Sequence, residues 1–254
     1  MFTSTQIKNF AVKLKTYKKR YLKKLYEDLD ESATRIMVNS LLTDVLGYTE
    51  LEEIKTEYRI RGEYADYIIQ VGRQKHFVVE VKSIQLDINE KHLRQSINYA
   101  ANEGIDWIIL TNGKQIELYR VLFSKPIESR KVFGFDADNQ EDFLKMPEFL
   151  IYLTKRSVQK GELENFWKRF EALEPNQLSK NLYDTHVIKF LKKVLKKKTG
   201  LSFGEDDILE SVYRIISTKI ETTKPKLPTN IFKSKVSNQA IASLDKLDPS
   251  VIQN

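Results

Sequence analysis

The sequence lacks the residues that build the commonest metal and redox sites. It contains no cysteine among its 254 residues, which excludes disulfide bonds and thiolate metal ligands. Its three histidines, His76, His92 and His186, do not have the spacing of a zinc motif. Any metal bound by this chain is therefore expected to have oxygen ligands.

Long hydrophobic runs are also missing. The sequence has no stretch of about 18 apolar residues that would span a bilayer, and its lysine-rich N-terminus lacks the apolar core of a signal peptide. We therefore expect neither membrane insertion nor export, and we expect a cytoplasmic location. Hydrophobic residues make up 41% of the chain, which is enough for a substantial core.

Acidic residues are absent from the first 26 positions, which carry eight Lys or Arg. The whole chain has a net charge of +7, so the residues after position 26 together have a net charge near −1. Apolar residues recur there every three or four positions, which predicts a basic amphipathic helix over residues 1–28. Its charges are either a solvated helix face or a phosphate-binding surface. The candidates for nucleic-acid contacts are Lys13, Lys18, Lys19, Arg20, Lys23 and Lys24.

Helical and strand patterns alternate over residues 29–138. They predict a helix at 31–46, strands at 54–60, 65–71 and 76–83, a helix at 89–104, and a hairpin turning at Asn112-Gly113. The strand–helix–strand crossover from 76 to 111 requires parallel strands, so we expect a mixed sheet flanked by helices, an α/β (α+β) fold. Amphipathic patterns over 139–221 predict a smaller helical region, and 222–254 is expected to be an extended or partner-dependent tail.

Three charges interrupt the apolar stretch "ADYIIQVGRQKHFVVEVKS" at residues 65–83. If this hairpin turns about Arg73, Gln70 faces His76 and Asp66 faces Glu80, about 5 Å apart at Cβ. Lys82 is two residues beyond Glu80 and lies on the same face of its strand. The pattern therefore predicts that all three charges share one face.

Two opposed carboxylates repel each other and need compensation. A hard divalent cation would supply it, because Mg²⁺ binds carboxylates, backbone carbonyls and water. An ion pair with Lys82 would also supply it, as an ordinary charge cluster on a hairpin. Both interpretations remain open from these residues alone.

The spacing Asp66…Glu80-Val81-Lys82 resembles the catalytic signature of the PD-(D/E)xK nuclease superfamily, with Ala65 where a proline often stands. Gln95 and Tyr99 add a Q-x-x-x-Y pair on the following helix. The segments "ESATRIMVNSLLTDVLGY" and "EGIDWIILTNGKQIELYRV" are similar to those flanking the signature in the N-terminal nuclease domain of type I restriction enzyme R subunits. The resemblance covers about residues 31–121 and implies a restriction-endonuclease-like fold.

The resemblance also implies roles. Asp66, Glu80 and the Val81 carbonyl correspond to the ligands of Mg²⁺ (or Mn²⁺). Lys82 corresponds to the lysine that orients or helps to deprotonate the attacking water. Gln95 and Tyr99 join this catalytic set: Gln95 would hydrogen-bond the attacking water or a phosphate oxygen, and Tyr99 would contact the backbone or hold Gln95. Glu31 corresponds to an acid that reaches the metal through water in some members, although an acid in a first helical turn is also ordinary dipole compensation.

The expected function is therefore a metal-dependent DNA endonuclease of a restriction or defence type. The sequence has no G-x-x-x-x-G-K-[ST] phosphate loop, so we expect it to act without the helicase motor of R subunits. A non-catalytic nucleic-acid-binding or assembly module, and a nuclease activated by a partner, are the alternatives. The helical C-terminal region is the expected place for a protein partner or a second copy of the chain.

Overall fold

A six-stranded mixed sheet forms the centre of the N-terminal part of the chain. The computed structural model describes residues 2–60 and 63–217. The strands lie in sequence order as β1 (Ile54–Ile60), β2 (Glu63–Val71), β3 (Gln74–Val81), β4 (Trp107–Thr111), β5 (Gln115–Leu122) and β6 (Glu128–Asp136). Among these six described strands, β3 and β4 pair in parallel and the other four pairs are antiparallel. The predicted mixed sheet of the α+β class is confirmed.

Helix α3 provides the crossover between the parallel strands. A 3₁₀ turn at Glu90–Leu93 leads into α3 (Arg94–Glu103), and Asn89 caps this segment by accepting a hydrogen bond from the Lys91 N–H. The helix ends at Gly104, which has φ +65°. Its buried side chains pack with Ile68, Val78 and Ile108 into one core cluster. One face of the sheet is therefore covered by α3.

The opposite face is covered by helices that precede and follow the sheet. Helix α2 (Glu31–Ser40) begins at Asp30, which caps it, and continues as a π-helical segment at Leu41–Val45. Val38 and Leu42 face Val79 and Ile109 of the sheet. Helix α4 (Gln140–Leu150), which follows the sheet, packs against β6.

The basic N-terminal segment belongs to this fold. Helix α1 (Ser4–Tyr21) buries Phe10, Ala11, Leu14 and Tyr17, and it packs against α4 and the π-helical segment. The Tyr17 hydroxyl donates to the Gly113 carbonyl at 3.0 Å. Leu25, within the helix predicted over residues 1–28, lies beyond the end of α1 and is 80% exposed.

The hairpin of β2 and β3 differs in one detail from its prediction. Tyr67 faces Val79 and Ile69 faces Phe77, as expected, but the register shifts between Ile69 and Gln70. Gln70 therefore faces Lys75, and its predicted pairing with His76 was wrong. The shift lies on the turn side of Ile69, so it leaves the register near Asp66 unchanged.

The described residues form two compact units that divide after Leu163. A 3₁₀ turn at Ile151–Leu153 and α5 (Lys155–Gln159) complete the first unit, and α6 (Glu162–Ala172) begins at the division. The second unit contains α7 (Pro175–Leu182), α8 (Thr185–Thr199) and α9 (Glu205–Ser217). Ile188 of α8 packs with Ile208 and Val212 of α9. The predicted helical region is therefore present, whereas the predicted tail from 222 lies outside the described residues.

Within residues 2–60 and 63–217, none of the helices is both long enough and apolar enough to cross a bilayer.

Candidate active site

Strands β2 and β3 separate at the end where Asp66 and Glu80 lie. Their regular pairing ends at Tyr67 and Val79. Beyond that point the Asp66 carboxylate takes the place of a β2 backbone carbonyl as the hydrogen-bond acceptor for β3, because its Oδ2 accepts the Val81 N–H at 2.7 Å. The N–H and carbonyl of one strand residue point to the same side of the strand, so the Val81 carbonyl faces the same opening between the strands.

Glu80 is the most buried charged group of the site. Only 5% of the residue is exposed, and its two carboxylate oxygens have different donors. Lys82 Nζ donates to Oε1 at 2.5 Å, and the Ser96 hydroxyl of α3 donates to Oε2 at 2.8 Å. Lys82 is itself positioned by its backbone N–H, which bonds the Thr111 carbonyl of β4. Glu80 and Lys82, two residues apart on β3, are thus in contact.

Arg35 of α2 connects Asp66 with Glu31. Its Nε and Nη2 lie 2.8 and 2.5 Å from Asp66 Oδ1, and Nη2 also donates to Glu31 Oε1 at 2.9 Å. Glu31 Oε2 lies 3.9 Å from Lys82 Nζ. Three acids and two cations therefore form one connected group, which we call the charge cluster: Glu31, Arg35, Asp66, Glu80 and Lys82.

Burial and neighbouring charges set the protonation of the charge cluster. Burial raises the pKa of the Glu80 carboxyl above its ordinary value, although hydrogen bonds from Lys82 and Ser96 oppose this change. Burial acts to lower the pKa of Lys82, but the nearby acids, chiefly Glu80, outweigh it and raise the pKa of the ammonium. Burial likewise opposes the charge of Arg35, but Asp66 and Glu31 raise its pKa. Lys82 and Arg35 are therefore cations at neutral pH.

The donor set suits a hard cation in chemical type. Asp66, Glu80 and the Val81 carbonyl offer only oxygen, the ligand that Mg²⁺ and Mn²⁺ accept from carboxylates and backbone. In the part of the chain that the structure describes, no group of three or more Asp, Glu or His side chains is arranged to hold a metal. A metal at this site would thus rely on two carboxylates, a carbonyl and water, while Glu31 pairs with Arg35.

The two predicted residues of α3 lie in different surroundings. Gln95 is exposed, whereas Tyr99 is 1% exposed and belongs to the core cluster beneath α3. Ser96 of the same helix donates to Glu80. Gln95 and Tyr99 therefore differ in burial, and their predicted roles remain predictions.

The residues of the N-terminal segment that are predicted to contact nucleic acid differ in burial. Lys18 is partly buried, donates to the Ala137 carbonyl and lies 4.5 Å above the Phe143 ring, so it joins α1 to the rest of the unit. The remaining candidates are exposed: Lys13, Lys19, Arg20, Lys23 and Lys24. Those exposed side chains are available to a polyanion.

Two members of the site, Arg35 and Ser96, are not found by searching for the Asp66…Glu80-Val81-Lys82 signature alone. Arg35 follows Glu31 by four residues, the spacing of an ion pair on a helix, which is a usable signal. Ser96 gives no local signal, because its contact with Glu80 depends on how α3 packs across the sheet.

These features define the first unit as an α+β domain that brings an aspartate and a Glu-x-Lys sequence together where two neighbouring strands separate. Residues 30–128 match the family model described as the N terminus of the type I restriction enzyme R protein. The match contains the charge cluster, and it confirms the resemblance predicted from the sequence. No curated protein and no solved structure gave a significant match to the chain.

Proposed function

We propose that this protein is a metal-dependent nuclease that hydrolyses DNA phosphodiester bonds, in a restriction or defence setting. The observation that carries the proposal is the convergence of Asp66, Glu80 and Lys82 where β2 and β3 separate, inside a segment that matches a restriction enzyme family. The DNA substrate and the setting rest on that match; the metal and the residue roles rest on the chemistry of the site.

Asp66, Glu80 and the Val81 carbonyl would hold the Mg²⁺ or Mn²⁺ ion. When bound, such an ion polarises the scissile phosphate and lowers the pKa of a coordinated water. Glu80 is fixed for this role because Lys82 and Ser96 each hold one of its oxygens. Asp66 is fixed by the Val81 N–H.

Lys82 acts as a hydrogen-bond donor beside the acidic pair. Its ammonium lies 2.5 Å from Glu80, and 19% of the side chain is exposed, so a phosphate or an attacking water at the opening can reach it. Preorganised donors of this kind stabilise charge that develops in a transition state. Gln95, exposed on α3, would contact the water or a phosphate oxygen, whereas Tyr99 would act through the packing of α3.

A cleavage assay tests this proposal. Purified full-length protein is incubated with linear, circular and single-stranded DNA in Mg²⁺, Mn²⁺ or EDTA, beside Lys82→Ala and Asp66→Asn. We expect cleavage that requires the metal and falls at least about a hundredfold in either variant, a loss typical of removing a transition-state donor. Lys145→Ala, which breaks an exposed pair with Glu141 in the first unit, is the matched control and should cleave normally.

Cleavage that persists in EDTA, or that is equal in the Lys82 variant, contradicts the catalytic assignment. DNA binding without cleavage by the wild type favours the non-catalytic alternative. Cleavage that appears only after a partner is added favours the partner-activated alternative.

The second unit is the proposed contact for that partner or for a second copy of the chain. Large apolar side chains are exposed on its helices, among them Phe190, Tyr213 and Ile215. Light scattering of the full chain across a concentration series would detect self-association; a constant monomer mass would leave a different protein as the proposed partner.

A further inference from the structure

In the charge cluster, Arg35 forms an ion pair with Asp66, a carboxylate expected to bind metal. Arg35 places two nitrogens on Asp66 Oδ1, at 2.8 and 2.5 Å. Asp66 Oδ2 meanwhile accepts the Val81 N–H at 2.7 Å. A carboxylate offers about four lone-pair sites; one hydrogen bond occupies each oxygen, and the second Arg35 nitrogen lies against Oδ1 as an ion-pair contact.

The charges of the cluster are nearly balanced without a metal. Three acids and two cations sum to −1 if all are ionised: Glu31, Asp66 and Glu80 against Arg35 and Lys82. A divalent cation that enters next to both Arg35 and Lys82 is repelled by each of them. One of the two must move for the Asp66–Glu80 pair to become fully available.

Arg35 is the cation placed to move. The Arg35 side chain is 34% exposed, compared with 19% for Lys82. A movement of Arg35 therefore disrupts fewer buried contacts than a movement of Lys82. Arg35 also has a second partner, because Glu31 Oε1 accepts from its Nη2 at 2.9 Å and the Glu31 side chain is 40% exposed. A small rotation away from Asp66 keeps this bond to Glu31.

We propose that Arg35 is a competing counter-ion for the metal site: it neutralises Asp66 in the metal-free protein and yields it to a divalent cation by moving onto Glu31. This inference rests on the proposed function, since it assumes that Asp66 binds metal. In this proposal Glu31 is the ion-pair partner that holds Arg35 when metal is bound, and it is not a metal ligand. Arg35 thus sets how much metal is needed to load the site.

Direct metal binding tests the proposal. Free Mn²⁺ is measured by its electron paramagnetic resonance signal while it is titrated into wild type, Arg35→Met and Arg35→Lys. Coulomb repulsion between a divalent and a monovalent cation about 5 Å apart, even at the dielectric constant of water, corresponds to about a tenfold change in affinity. We expect Arg35→Met to bind Mn²⁺ at least about tenfold more tightly than wild type, with Arg35→Lys in between.

Two controls separate this effect from others. Lys145→Met removes a positive charge from an exposed pair with Glu141 on the same unit, and it should leave Mn²⁺ affinity nearly unchanged. Asp66→Asn in the Arg35→Met background should abolish the gain. If Arg35→Met does not fold, as judged by circular dichroism, Arg35→Gln removes the charge but keeps a polar side chain.

Unchanged or weaker Mn²⁺ binding in the neutral Arg35 variants would overturn the inference, while Asp66-dependent binding by the wild type would leave the proposed function standing. A gain that survives Asp66→Asn would also overturn it. If neither wild type nor Arg35→Met shows Asp66-dependent binding, both the inference and the proposed metal site fail.

Discussion

Removing Lys82 should destabilise the first unit, because it leaves a buried carboxylate without its counter-ion. In Lys82→Met, Glu80 keeps the Ser96 hydrogen bond to Oε2 but loses the ammonium at Oε1. Glu80 is 5% exposed, so water cannot easily replace that partner. Breaking a buried ion pair in this way costs about 3–5 kcal/mol.

The expected loss is below that range, since the site retains some compensation. Ser96 still donates, Glu80 can take up a proton, and the Lys82 side chain is partly exposed. We therefore expect Lys82→Met to lower the free energy of unfolding by about 2–3 kcal/mol. For a unit of this size the melting temperature should fall by roughly 4–12 °C.

Thermal and urea unfolding in EDTA, followed by circular dichroism, measures the effect. The double variant Lys82→Met/Glu80→Gln should recover more than half of the loss, since it removes the unpaired charge. Lys131→Met is a matched control: it breaks a cross-strand pair with Glu117 in which the lysine is 42% exposed, and it should cost less. Equal losses in both lysine variants, or no recovery in the double variant, would refute the coupling between Glu80 and Lys82.

Two further predictions concern the frame of the site. Tyr17→Phe removes the buried hydrogen bond to the Gly113 carbonyl and should cost about 1–2 kcal/mol by urea unfolding; a neutral effect would mean that α1 is not fixed to the sheet through this bond. Burial opposes ionisation of Glu53, but hydrogen bonds from the Thr49 N–H and Lys155 lower its pKa below the ordinary 4.5. Its stabilisation is present above that value and is lost as the pH falls through the lower folded-state pKa, so wild type and Glu53→Gln should converge between about pH 6 and pH 3. A constant gap in unfolding free energy over that interval would contradict this assignment.

Strand periodicity predicted the strand register next to the acidic pair. The alternation of side chains in β2 and β3 predicted that Asp66, Glu80 and Lys82 share a face, and the pairing of Tyr67 with Val79 keeps that register. The register shift beyond Ile69 was not predictable, because neither Gln70 nor His76 belongs to the buried face that fixes the pairing. Strand β6 was also missed, since "ESRKVFGFD" contains a glycine and has little regular alternation.

The surroundings of the acidic pair depended on tertiary packing. Arg35 reaches Asp66 only because α2 lies against the end of β2, and Ser96 reaches Glu80 only because α3 crosses the other side. Tyr99 shows the same limit: a tyrosine four residues after a glutamine fits a site or a core equally well, and here the ring is buried under α3. Local patterns identify the charges, and the packed helices determine which of them meet.

The most direct test of the central claim is the position of a bound metal. Crystals grown with Mn²⁺ and measured near the manganese absorption edge would show an anomalous peak about 2.1–2.3 Å from carboxylate oxygens of both Asp66 and Glu80, as expected for a hard cation with oxygen ligands. The same density should show Arg35 on Glu31 and away from Asp66. A fully occupied peak elsewhere, with Arg35 still on Asp66, would contradict a shared metal site.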